Sequence, residues 1–415
     1  MHKFAVIVTA VSAMFAARPS PADDLIAFVE KPRQLDTGEI GRGANHYRPR
    51  WSPDGRWLSF ELIDENSLRM FLMVPETGDL MECRGKTPSG SAGSLDLFAD
   101  QSTGKVAVTR LSWARQTVSN TSMFCFTDDG VLYKSNAYFV GAKPSITPPK
   151  EFIPLANAGE IGVANGILLP ELGYAAARNQ PPAVFTDNDT GNLFAIIGAK
   201  EVRQFTSKEP GQKITDSCAK FGPPDNRSLV FVRTFEGNSD LYVIADVLHP
   251  IETCRPLLGW EKSDEFAPTW SPDGGKIAFF SNFAGDAPGK KTFDLYVIDM
   301  AKHGAPKLLT RNVRPDNIEE KLGPPYIGPQ WMGNDVIIVP RDDNQAKDPL
   351  ICVQVSTGLI EELPVGTILN DSPNVCDLGD GTYLLAYTTF GKSADDLSQP
   401  DITNKIYYAK LILSK

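Results

Sequence analysis

Residues 264–300 read DEFAPTWSPDGGKIAFFSNFAGDAPGKKTFDLYVIDM, and the architecture of the whole chain can be worked out from them. A first, short strand ends at Trp270. Ser271-Pro272-Asp273-Gly274 suits a turn, because Pro presets φ at the first central position while Asp and Gly favour the bend and its exit. Lys276–Ser281 and Asp294–Met300 are apolar, β-branched and aromatic runs of strand length. The stretch therefore predicts three antiparallel strands with one tight turn and one long loop, Asn282–Phe293.

Diluted copies of this pattern recur on both sides. HYRPRWSPDGRWLSFEL at 46–62 repeats the Trp-Ser-Pro-Asp-Gly turn at Trp51–Gly55. Leu58, Phe60 and Leu62 alternate there with Trp57, Ser59 and Glu61, Arg69–Val74 follows, and Leu80–Cys83 begins a fourth strand. At 94–134 the copy is degenerate: Leu95–Phe98, a Ser102-Thr103-Gly104 turn, Lys105–Leu111, Met123–Phe126 and Val131–Tyr133 read as four strands, and the turn's Trp and Pro are missing. In 135–206 the prolines at 144, 148 and 149 mark a loop, Ile167–Tyr174 reads as an inner strand, and 183–206 as three more. At 214–258, Phe221–Asn226 stands where the turn belongs, ahead of Leu229–Arg233 and Asp240–Ala245. A Pro-rich connector, Arg311–Pro325, leads to a copy at 326–365 with Gln330–Asp335 at the turn. The last unit, 370–413, has three strands. The spacing is about 54 residues per unit, which suits four-stranded blades stacked in a ring. The expected fold is an all-β propeller with seven four-stranded blades favoured over six. Leu25–Glu30, an apolar run with no neighbouring partner, is expected to close the ring as the missing strand of the last blade.

The N-terminus has a basic start at Lys3, an apolar run from Phe4 to Ala17, and a Ser20-Pro21-Ala22 site before Asp23-Asp24. This pattern predicts a signal peptide over residues 1–22, with residues 23–415 forming one propeller domain; the alternative is a membrane anchor, for which the run is short. No Cys follows the apolar run, so lipid attachment is not expected. The expected location is periplasmic or secreted. The 415 residues carry 41 Lys and Arg against 51 Asp and Glu, a net charge of −10, which argues against nucleic acid or anionic membrane as general partners. Six cysteines, at 83, 125, 218, 254, 352 and 376, allow sequential disulfides or buried free thiols, and both readings stay open.

The two Trp-Ser-Pro-Asp-Gly turns, with Trp57 and Phe279 after them, and the DLYVI strands at Asp240–Ile244 and Asp294–Ile298 resemble the TolB-type β-propeller repeat family. The resemblance is good at 46–82, 214–258 and 264–310 and weak elsewhere. It implies the propeller fold and does not by itself imply a function. TolB has a smaller α/β domain before its propeller. Here the first unit follows closely on the signal sequence, so that domain is expected to be absent and Tol–Pal assembly is not carried over.

Candidate chemistry is sparse, and no catalytic, cofactor or metal residue is assigned. His46, His249 and His303 fall at a strand start and in two outer turns, poorly placed for a metal cluster. Gly90-Ser91-Ala92-Gly93 lacks the spacing of a nucleophile elbow, and no helix-rich hydrolase domain of the prolyl-oligopeptidase kind follows the repeats. Asp187–Asn192 could offer oxygens to Ca²⁺ but falls on an ordinary repeat turn. Asp342-Asp343 and Asp395-Asp396 are acidic pairs in loops. Loop length is more informative. Asn282–Phe293, Arg341–Pro349, Phe390–Asn404 and the connector Arg311–Pro325 all belong to one face of the expected ring, opposite the short turns. The favoured expectation is a non-catalytic propeller binding a protein or cell-envelope glycan through that face. The alternative is a carbohydrate lyase or hydrolase at the central channel; oligogalacturonate-lyase-like propellers use a histidine-rich metal site for which this chain has few histidines.

Overall fold

The computed structural model describes residues 25–38, 44–63, 68–83, 111–118, 121–128, 131–148, 150–153, 158–163, 183–187, 189–197, 201–209, 211–260, 262–283, 293–302, 304–313, 328–342, 347–390 and 403–414. Strand β1 is Ile26–Gln34. Sheet one holds β2 to β5: Asn45–Trp51, Leu58–Ile63, Leu68–Val74 and Asp79–Cys83. Sheet two holds β6 to β10: Leu111–Val118, Thr121–Asp128, Val131–Val140, Lys143–Ile146 and Lys150–Ile153. Sheet three is β11 to β14: Ala158–Val163, Ala183–Asp187, Leu193–Ile197 and Glu201–Gln204. Sheet four is β15 to β18: Ile214–Phe221, Leu229–Phe235, Asn238–Ile244 and, after the short helix α1 at Pro250–Thr253, Cys254–Leu258. Sheet five is β19 to β22: Glu265–Trp270, Lys276–Ser281, Phe293–Asp299 and Lys307–Val313. Sheet six is β23 to β26: Gln330–Met332, Val336–Pro340, Leu350–Gln354 and Ile360–Glu362. Sheet seven is β27 to β29, Leu369–Asp377, Thr382–Phe390 and Asn404–Leu413, and β1 is its fourth strand.

The architecture is a β-propeller, with antiparallel meanders packed face to face around a ring. The period-2 alternation sends alternate residues into two different cores, because each sheet is covered on both faces. Leu58, Phe60 and Leu62 pack with Ala386, Ile406 and Tyr408 of sheet seven, whereas Trp57, Met70 and Leu72 pack with Trp113 and Phe124 of sheet two. Strand β11 lies against β6 and β7. Val184 and Leu193 of sheet three meet Phe221 and Phe231 of sheet four. One core joins Val232 and Leu241 of sheet four to Phe280 and Leu295 of sheet five and Ile337 and Val353 of sheet six. Another joins Ile338 and Leu350 to Leu385 and Tyr387. Trp270 packs between sheets four and five, with Val230 on the far side of the seam.

Indole hydrogen bonds tie neighbouring sheets in a repeated way. Trp270 Nε1 donates to the Lys220 carbonyl at 3.1 Å, and Trp331 Nε1 to the Thr269 carbonyl at 3.3 Å. Trp113 Nε1 donates to the Arg50 carbonyl at 3.2 Å and to Ser59 Oγ at 3.0 Å. Each carbonyl belongs to the next-to-last residue of the preceding sheet's innermost strand. The second unit therefore keeps a tryptophan in this role, contrary to the sequence reading. Its strands are also one place out of phase with that reading. Met123–Phe126 and Val131–Tyr133 lie in the second and third strands, β6 is innermost, and Lys150–Ile153 is outermost. Without the Pro-Asp-Gly turn, alternation fixes which residues are in strands but not which strand comes first. In the third unit β11 takes the inner place expected of Ile167–Tyr174, which lies outside the described residues, as do Leu95–Phe98 and the 102–104 turn.

The ring closes as the terminal apolar run suggested. Ile26 pairs with Leu413 and Gln34 with Tyr407, so β1 extends four residues beyond the expected Glu30. All six cysteines are free thiols. Cys218 and Cys254 sit on the first and fourth strands of one sheet, about three strand spacings or ~14 Å apart, too far for a disulfide. Burial raises the thiols of Cys83 and Cys352 and pushes Cys376 up to about 12.

Candidate functional site

Strand direction places the loops between second and third strands, together with the connectors between sheets, on one face of the ring. The Ser-Pro-Asp-Gly turns occupy the other. The four long segments named from the sequence begin and end on the first face. Their central parts, 284–292, 314–327, 343–346 and 391–402, lie outside the described residues.

At the start of one of them, sheets four and five build a compact acidic and aromatic surface. Phe283 is 52% exposed, the most exposed aromatic side chain among the described residues. Its ring stacks on Trp260 with centroids 4.2 Å apart and planes at 25°. Trp260 is held in turn by Tyr296, edge-on at 5.1 Å, and by Phe279 at 6.2 Å. Around this pair lie three carboxylates. Asp264 accepts from the Ser239 backbone N–H at 3.1 Å, and its own N–H donates to Asn282 Oδ1 at 2.8 Å, which ties it to both sheets and to the residue before Phe283. Asp240 takes a hydrogen bond from Asn238 at 2.9 Å and lies against Gly259, where a Cβ would stand 3.2 Å from its Cγ. Glu265 is fully buried beneath them and accepts from Ser263 Oγ at 2.6 Å, Ser281 Oγ at 2.9 Å and the Trp260 N–H at 3.4 Å. Burial raises the carboxyl of Glu265, with the charge of Asp240 adding to the effect. Asp240 is raised by burial and then by Asp264. Among the described residues no Lys, Arg or His forms an ion pair with any of the three.

The residues singled out from sequence are dispersed. His46 is buried between sheets seven and one, where it bonds Thr37 Oγ1 at 2.9 Å and the Asn404 carbonyl at 3.1 Å. His249 is an exposed partner of Asp246 at the start of α1. His303, Asp343, Asp395-Asp396, Gly90–Gly93 and the signal sequence lie outside the described residues. The Asp187–Asn192 segment is a turn that satisfies itself: Asp187 accepts from the Thr190 N–H and hydroxyl, and Gly191 N–H donates to the Asp187 carbonyl. Among the described residues no three His, Cys, Asp or Glu side chains converge as a metal site, and no helix is long and apolar enough to cross a membrane. Sequence reasoning flagged the loop that Phe283 opens but missed Trp260, Asp240 and Asp264 as its neighbours, because Asp240 comes from one stretch of chain, Trp260 and Asp264 from a second and Phe283 from a third.

No family model matches the chain, and no curated protein matches it in sequence. Solved structures do. A puromycin hydrolase is similar at 15% identity with a TM-score of 0.54, covering 84% of this chain and 51% of that one. The chain therefore spans about half the length of that enzyme. An oligogalacturonate lyase in complex with manganese is similar at 12% identity with a TM-score of 0.52, covering 94% and 96%. TolB from Acinetobacter baumannii matches at 14% identity over 79% and 80%, with a TM-score of 0.38. At these identities the first two likenesses show a shared propeller fold and no more.

Proposed function

We propose that the chain is exported after loss of residues 1–22 and acts as a non-catalytic propeller of the periplasm or the secreted fraction, binding a protein or cell-envelope component through its long-loop face. The observation that carries this reading is that the four long segments 282–293, 311–325, 341–349 and 390–404 all begin and end on one face, at whose edge an aromatic pair is exposed, while the opposite face holds the Ser-Pro-Asp-Gly turns, closed by their own side chains, with the connections β11–β12 and β17–β18 as its longer segments. The test is to shorten 391–402 and 314–327 separately, confirm by circular dichroism that the propeller is intact, and compare capture of the native partner from a periplasmic or secreted fraction. Capture should fall at least tenfold with one of the two. Undiminished capture by both would overturn the proposal.

A second reading, a carbohydrate lyase or hydrolase at the central channel, is favoured by one observation. Glu265 lies on an innermost strand with its carboxyl raised by burial, the trait of a general acid. Metal content and turnover of pectic oligosaccharides by the purified protein separate the two. A stoichiometric transition metal together with chain cleavage would move the assignment to an enzyme.

A further inference from the structure

The repeat supplies an internal comparison. Aligned by the bulge in each innermost strand, Asp216 of sheet four and Glu265 of sheet five occupy the same position, each two residues before a bulge residue of positive φ, Cys218 and Ala267. In sheet four Asp216 faces Arg233 across the strand pair, and the guanidinium grips it through Nε at 2.7 Å and Nη2 at 2.8 Å. The same guanidinium lies over the rings of Tyr242 at 4.7 Å and Phe231 at 5.6 Å. Sheet five repeats the rings as Tyr296 and Phe279 and the carboxylate as Glu265, but Ser281 takes the arginine's place. Trp260 covers the two rings instead, and Phe283 extends the aromatic stack to the surface. Sheet four is thus closed by its own cation, whereas sheet five presents an exposed ring beside carboxylates that have no ion-paired cation among the described residues.

We infer that the Phe283–Trp260 stack with Asp240 and Asp264 is a docking surface for a cationic side chain, arginine above all, of a protein partner. The inference rests on the reading that this face binds, and narrows it to the chemistry of one contact. Charge complementarity carries it. The carboxylates only accept hydrogen bonds, they lie close enough to repel one another, and the chain as a whole has a net charge of −10. A guanidinium on the Phe283 ring would gain the cation–π attraction and donate to the carboxylates at its edge, the arrangement that Arg233 already makes inside sheet four. A neutral sugar could stack on the same ring but would leave the charge uncompensated, and an acidic sugar would be repelled.

The test uses the full-length protein, a fluorescent peptide of alternating Gly and Arg, its Gly–Glu counterpart and chitohexaose, with binding followed by anisotropy or calorimetry at low and high salt. The arginine peptide should bind, and the Glu peptide and chitohexaose should not. Phe283→Ala and Asp240→Asn should each weaken the arginine peptide about fivefold, the change that a cation–π contact of about 1 kcal/mol implies. Asp380→Asn, on the opposite face, should leave binding unchanged. Phe283 is exposed and Asp240→Asn keeps the side-chain shape, so both variants should keep the wild-type circular dichroism spectrum. Failure of the folded protein to bind the arginine peptide, wild-type affinity for it in both variants, or chitohexaose binding lost in Phe283→Ala would overturn the inference. If both variants capture the native partner as wild type does while a shortened loop abolishes capture, this surface is wrong and the long-loop reading stands. If neither change affects capture, both fail.

Discussion

His46 shows how one buried side chain reports on the ring. The imidazole is 2% exposed and stacks on Phe60 with centroids 5.8 Å apart. Its Nδ1–H donates to the Asn404 carbonyl, which leaves Nε2 to accept from the Thr37 hydroxyl, so the neutral ring satisfies both contacts between sheets one and seven. Burial, reinforced by the charge of Lys405, lowers its pKa from 6.5 to about 4. The unfolded chain therefore takes up a proton in this window before the folded one does. The contribution of His46 to stability is fully present above about pH 6.5 and is lost as pH falls towards 4. Between pH 7.5 and 4.5 the wild type should lose roughly 2–3 kcal/mol more than His46→Gln, which has no group titrating there. Urea midpoints of both proteins at the two pH values measure this, and parallel losses would refute it. A histidine at a strand start reads as a surface residue in the sequence. Only its placement against Phe60 and Asn404, far apart in the chain, makes it a buried neutral base.

At the scale of the element, the Trp-Ser-Pro-Asp-Gly turn was legible because its stabilising bonds are local. Ser271 Oγ donates to Asp273 at 2.6 Å and accepts from the Lys276 N–H at 2.9 Å, while Asp273 also takes the Gly275 N–H at 2.9 Å. Ser52 and Asp54 repeat the arrangement. The hydrogen bonds from Ser271, the larger effect, and from the Gly275 N–H hold the Asp273 carboxyl below the usual carboxylate range, against the opposing effect of burial. Where that turn chemistry is lost, as before Thr121, the strand order slipped by one, because nothing local marks the phase. The candidate site was legible only at the Phe283 loop. The contrast between Arg233 and Ser281 is written in the repeat, but it takes meaning from the cross-strand partners Asp216 and Glu265, which register alone reveals. The turns also differ in what surrounds them. Gly274 has φ +72° and a Cβ there would stand 2.2 Å from the Pro223 carbonyl oxygen, whereas at Gly55, φ +68°, the nearest atoms are methyls of Leu378 and Leu384 at 2.6 and 2.7 Å. Backbone cannot yield as a leucine rotamer can. Both Gly→Ala substitutions should cost roughly 1–3 kcal/mol through the left-handed backbone, with Gly274→Ala the worse by about 1 kcal/mol or more. Equal urea midpoints for the two variants would refute the difference.

The whole molecule depends on one seam that differs from the others. Six sheets are built from consecutive strands, so the ladders within them form between neighbours in sequence. Sheet seven needs β1, whose partner lies at the far end of the chain: Ala27 pairs with Ile412, and Ser414 N–H donates to the Leu25 carbonyl at 2.9 Å. Just past β1 the Leu35 N–H donates to the Ile406 carbonyl at 2.8 Å, and across the seam the Trp51 N–H donates to Asn374 Oδ1 at 2.8 Å. Strand β1 also shields the edge it creates, since its outer half carries Glu30, Lys31 and Arg33, charges that discourage pairing with a further chain. Removing residues 25–34 would leave β29 as an unpaired edge and strip Ile26 from the core beneath Met332 and Leu411. The truncated protein should melt well below the full chain and associate with rising concentration through β29, which size-exclusion chromatography and thermal scans over a tenfold concentration range would read. A synthetic peptide of residues 25–34 added in trans should restore the monomer by strand addition, and a scrambled peptide should not. A truncated chain that stays monomeric and melts with the full-length protein would mean that the ring is closed by side-chain packing between sheets seven and one, with β1 as a surface strap.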